Sequence, residues 1–109
     1  MLAPYLEIFI VTSPSTYRAG PRFRLGRILA TPAALEVIAD AKASIIDLLT
    51  RHIRGDFGDL SESGHQQNEL AVATGQRILS SYVLPTGQTV WLITEWDRSA
   101  TTLLLPGDY

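Results

Sequence analysis

The sequence predicts an α+β fold: an antiparallel meander sheet of three to four strands with two or three helices packed on one face. Three observations lead to it. Residues 77–84, 89–96 and 101–105 are rich in β-branched, aromatic and leucine residues and are joined by two short connections, the pattern of a meander. Residues 31–75 carry helix start and stop residues in pairs. The chain has 109 residues, enough for one domain that buries its own core without metal or disulfide.

The apolar run from Tyr5 to Val11 is set apart by Ser13-Pro14-Ser15-Thr16 and Ala19-Gly20-Pro21. Residues 1–21 are therefore expected to be an N-terminal extension, either an added strand or a loose segment on a flexible link. Residues 22–109 are expected to be a single domain. Pro4 and Glu7 interrupt the apolar run and no basic residues precede it, so a secretory signal is not expected, and the run is too short to span a bilayer. Residues 22–30 alternate loosely, with Phe23, Leu25 and Leu29 on one side, and read as a strand in which Gly26 marks a bulge or a close backbone approach.

Thr31-Pro32 starts a helix, with threonine as cap and proline at the first helical position. Ser44 to Asp47 resembles a capping box, so residues 32–54 are one kinked helix or two, closed by Gly55. Ser61 and Gly75 bracket a more polar helix expected on the surface. In the meander, Gly87 serves the first hairpin and Asp97 the second.

Composition narrows the chemistry. A hydrophobic share of 46% with 18% charged residues argues against disorder. The net charge of −2 supplies no global field for nucleic acid, although Arg18, Arg22, Arg24 and Arg27 form a local basic stretch that reads as a solubilising edge strand. The chain has no cysteine, which excludes disulfides, thiol catalysis and cysteine-ligated zinc or iron–sulfur sites, and fits a cytoplasmic location. No phosphate loop, dinucleotide fingerprint, nucleophile elbow or zinc signature occurs, so no cofactor and no metal site is expected.

Three groups of polar residues are candidates for a site. His52, Asp56 and Asp59 follow the second helix and combine an imidazole with two carboxylates, yet they also suit a helix C-terminus and a turn. His65 and Asn68 lie one turn apart on the third helix and would line a cleft with His52. Glu95, Asp97 and Arg98 cluster at the second hairpin tip, where Arg98 would grip a phosphate or carboxylate; a charged tip with a weak ion pair is the structural alternative. Trp91 and Trp96 differ in strand parity, so one is expected in the core and the other at a partner surface.

From Arg24 to Tyr109 the chain resembles a family of small bacterial proteins carried on plasmids, phages and integrative elements. The resembling segments are Leu25-Gly-Arg-Ile-Leu-Ala-Thr-Pro32, Arg51-His-Ile-Arg-Gly-Asp-Phe-Gly-Asp59, Arg77-Ile-Leu-Ser-Ser-Tyr82 and Trp91-Leu-Ile-Thr-Glu-Trp-Asp-Arg-Ser-Ala-Thr-Thr-Leu-Leu-Leu-Pro106. Phe57 stands where such proteins often carry tryptophan, and Trp96 where a small residue is usual. Some members bear a type I restriction methylation label, which this chain contradicts: it is too short for a methyltransferase domain and lacks a glycine-rich cofactor loop. The resemblance implies a mobile-DNA setting and no assigned activity.

The resulting expectation is an accessory protein of mobile DNA that binds a macromolecular partner, a host defence or restriction factor being one such partner and a second copy of the chain another. Its binding residues would be Asp56, Asp59, Trp96, Asp97 and Arg98. The enzymatic alternative is a metal-free, barnase-like ribonuclease with His52 as base, Glu95 as acid and Arg98 as phosphate clamp, a fold-level analogy.

Overall fold

The computed structural model describes residues 4–9 and 20–109. The chain is α+β. Strand β1 spans Leu6–Ile8 and β2 spans Arg27–Ala30; helices α1 (Pro32–Asp40), α2 (Ile45–Ile53) and α3 (Glu62–Thr74) follow; then come β3 (Ile78–Val83), β4 (Thr89–Thr94) and β5 (Ala100–Leu104), with a 3-10 turn at Pro106–Asp108. The sheet has five strands in the order β1-β2-β5-β4-β3.

The helix boundaries follow local chemistry. Thr31 Oγ1 accepts the Ala34 N–H and Pro32 opens α1. Residues 32–54 form two helices: Lys42 takes φ 55° between them, and Ser44 Oγ accepts the Asp47 N–H to start α2. Ser61 caps α3, and Gly75 ends it in the left-handed conformation at φ 73°.

The meander forms as expected, with β3–β4 and β4–β5 antiparallel. Two features differ from the expectation of an antiparallel sheet of three to four strands. Strand β2 pairs with β5 in parallel: α1, α2 and α3 carry the chain from β2 across to the far edge of the sheet, and two reversals then return β5 beside β2 in the same direction. A fifth strand, β1, pairs antiparallel with β2, so part of the N-terminal extension is an added edge strand. The Ser13–Thr16 break lies outside the described residues. The second strand is also shorter than residues 22–30, because Arg22 donates its N–H to the Ile53 carbonyl instead of to a neighbouring strand.

The helices cover one face of the sheet. Ala30, Val90, Leu92 and Leu103 point into that side, where they meet Ala34 and Ile38 of α1 and Leu48 and Leu49 of α2. A second cluster holds Phe23, Phe57, Ala71 and Ile78. The outer edge of β3 is closed by two devices. The Asn68 side chain donates to the Leu79 carbonyl at 2.7 Å and accepts its N–H at 3.2 Å, acting as a short strand mimic. Gly58 bridges to Ser81 in parallel.

Candidate functional site

His52 sits in the last turn of α2 and is completely buried. Its ring joins a chain of hydroxyls on the covered face of the sheet. Thr101 Oγ1 donates to the Leu25 carbonyl at 2.8 Å, so its only proton is committed. Thr94 Oγ1 must then donate to Thr101 Oγ1, 2.7 Å away, and so accepts from His52 Nε2 at 2.8 Å. That leaves Nδ1 as acceptor of the Ser80 hydroxyl. The network fixes the neutral Nε2–H tautomer.

Burial, and secondarily the charge of Arg98, lowers the His52 pKa from 6.5 to about 3. Phe23 and Phe57 close the remaining sides, with ring centroids 5.1 and 6.3 Å from the imidazole. A general base has to reach a substrate, and this imidazole has no path to one. The expected role of His52 as a catalytic base, and its alternative role as a cation on a helix dipole, are both replaced by a neutral polar link in the core.

Arg98 is engaged as well. It takes φ 60° in the β4–β5 turn, and its guanidinium donates to three carbonyls: Gln76 at 2.6 Å, Ala71 at 2.9 Å and Glu95 at 3.0 Å. Two of these lie in the last turns of α3 and just beyond it, where a cation also meets the negative end of the helix. The fork expected to grip a phosphate is thus spent on tying the hairpin tip to α3, and Phe23 lies 5.8 Å below it. Asp97 Oδ1 accepts the Ser99 N–H at 3.0 Å and stabilises the turn.

The Gly55–Asp59 region holds a separate structure. Arg51 pairs with Asp56 at 2.7 Å, which keeps the Asp56 carboxyl below its ordinary value. Arg51 also lies 4.3 Å over the Tyr82 ring, and the Tyr82 hydroxyl donates to the Asp56 carbonyl at 2.6 Å. Asp59 is exposed, with its N–H donated to Ser81.

This loop and the hairpin tip do not form one surface. Thr94 pairs with Ile78, whereas Gly58 pairs with Ser81, three strand residues away, about 10 Å; the tip lies further out. Asp56 and Asp59 are therefore apart from Trp96, Asp97 and Arg98. Likewise His65 and Asn68 line no cleft with His52: the Phe57 ring stands between the two histidines, and Asn68 is bonded to β3. Among the described residues, no three acidic or histidine side chains converge as metal ligands, and no helix is long and apolar enough to cross a membrane.

Among the expected site residues, Trp96 is the large apolar one and it stays open, with 67% of its surface exposed. Trp91 is half-buried on the face of the sheet opposite the helices, its ring 6.4 Å from that of Tyr109, so neither tryptophan is in the core, where one was expected. Sequence reasoning did not single out Tyr5, Arg77 or Tyr109, which gather on this face with Glu95 around a cavity of about 400 Å³. The signal for Arg77 was strand parity, which places it on the same side as Glu95 once the register is known.

Comparison with known proteins gives no matching family model, no matching curated protein and no matching solved structure.

Proposed function

We propose that this protein is a small accessory protein of mobile DNA that works by binding a macromolecular partner, with Trp96 as the anchor of the contact. The mobile-DNA setting and a host defence or restriction protein as partner rest on the resemblance of the quoted segments. The observation that carries the binding reading is Trp96, a large apolar ring 67% exposed on a turn held in place from several sides. Arg98 ties that turn to α3, Asp97 bonds to Ser99, and the Arg27 N–H donates to the Ser99 carbonyl. A tryptophan presented on a rigid support loses little freedom on binding, and exposed tryptophans are enriched among the residues that dominate interfaces.

The test is affinity capture from a bacterial lysate with the wild-type chain and with Trp96→Ala. A specific partner retained by the wild type is expected to be lost with the variant, while the melting temperature stays within a few degrees, since the side chain touches little. Equal retention by both chains would remove Trp96 from the interface.

A further inference from the structure

On the face of the sheet opposite the helices, two opposite charges face each other without pairing. The β3–β4 ladder pairs Ile78 with Thr94 and Leu79 with Ile93. Continuing that register by one step sets Arg77 opposite Glu95, on the same face as Leu79 and Ile93. Opposite charges in this position ordinarily attract one another across the strands. Here Arg77 instead turns to Tyr109, donating to its hydroxyl at 2.6 Å and lying 5.7 Å over its ring. The half-buried Glu95 forms no salt bridge among the described residues, whose salt bridges are Arg22–Glu69, Arg27–Glu7 and Arg51–Asp56.

Between the two charges lies the cavity of about 400 Å³. Ile93, Thr102 and Leu104 form its floor, each buried, on the face of the sheet opposite α1, α2 and α3. Tyr5 and Tyr109 stand as its aromatic walls. Burial, then the nearby Glu95 carboxylate and the Tyr109 phenol, hold the Tyr5 phenol above its ordinary pKa, so these groups share one electrostatic neighbourhood. The volume falls within the range of small-ligand cavities, and the lining has their usual composition: an apolar body with a few polar groups at the rim.

The ligand's chemistry follows from what the cavity lacks. Glu95 calls for a cation, and the Arg77 guanidinium has donors left for an anion. The floor and the tyrosine rings call for an apolar or aromatic body. We propose that this cavity binds a zwitterionic α-amino acid with an aromatic or large aliphatic side chain, its ammonium on Glu95, its carboxylate on Arg77 and its side chain between Tyr5 and Tyr109. The cavity thereby gains the ion pairs that Arg77 and Glu95 do not make with each other. This site is independent of the Trp96 contact, since it is read with purified protein and no partner.

The experiment is isothermal titration calorimetry of the full chain with L-phenylalanine and L-leucine. It is repeated with N-acetyl-L-phenylalanine, which lacks the ammonium, and L-phenylalaninamide, which lacks the carboxylate. The free amino acids are expected to bind, and each capped form to bind at least about tenfold more weakly, the scale of one lost charged hydrogen bond. Glu95→Gln is expected to weaken L-phenylalanine more than L-phenylalanine lacking its ammonium, and Arg77→Gln to weaken it more than the amide. Melting curves of both variants establish that they are folded. Absence of binding by the folded wild type at millimolar amino acid overturns the proposal. So does equal binding of free and capped forms, which would make the cavity a general apolar contact.

Discussion

The role of Arg98 is set by its surroundings in the fold rather than by its neighbours in sequence. A guanidinium in a charged hairpin tip has the right chemistry for a phosphate or carboxylate, and its sequence neighbours Glu95 and Asp97 reinforce that reading. Its donors in fact meet the carbonyls of Ala71, Gln76 and Glu95. That of Ala71 belongs to α3 and that of Gln76 lies just past its end, and both would be left without this partner if the side chain were shortened. Arg98→Ala is therefore expected to destabilise the fold by about 2 kcal/mol, from lost charged hydrogen bonds. Arg98→Lys should recover part of this, because an ammonium cannot reach three carbonyls in a planar fork. Urea unfolding of the three chains checks the order; an alanine variant as stable as wild type would mean that the carbonyls are equally well served by water.

Among the elements, one close approach is between the segment leading into β2 and the β4–β5 turn. Gly26 takes φ 67°, and a Cβ there would fall inside the backbone of Arg98 and Ser99. Gly75 takes a similar φ, 73°, at the end of α3, but nothing lies within 4 Å of its missing Cβ. The pair separates backbone strain from crowding. Gly75→Ala is expected to cost about 1 kcal/mol, the strain of a left-handed residue. Gly26→Ala should cost clearly more, because the same strain is joined by a clash with backbone that cannot turn aside. Thermal unfolding of both variants gives the comparison, and equal losses would show that the turn moves freely. The helices themselves were legible residue by residue: Thr31, Ser44 and Ser61 each accept an N–H three residues ahead, and Gly75 ends the last helix. The start of β2 was not legible, since the apolar alternation of residues 22–26 served packing around Phe23 rather than strand pairing.

For the whole molecule, the hydroxyl–imidazole chain couples α2 to β3, β4 and β5, and it makes stability depend on pH. His52 has a folded pKa of about 3 against 6.5 when free. The unfolded chain therefore takes up the proton first as pH falls. The associated stability is complete above about pH 6.5, declines below it and is gone below about pH 3, at about 1.4 kcal/mol per pH unit through the interval. From about pH 6.5 to pH 5, above the range in which carboxylates titrate, the melting temperature is expected to fall steadily. His52→Gln should flatten that slope even if the variant is less stable throughout, and an unchanged slope would place the acid sensitivity elsewhere. The sequence by itself determined the α+β class, the three helix starts and the two hairpins of the meander, because caps, prolines and glycines act on backbone within three or four residues of themselves. Only the tertiary structure decided that β2 runs parallel to β5, that His52 is sealed as a neutral link to Thr94, that Arg98 binds α3, and that Arg77 and Glu95 part around a cavity. Each of these depends on burial and on partners more than fifteen residues away in the chain, and the charge or hydrogen-bonding role of a side chain is set by that surrounding medium rather than by its neighbours in sequence.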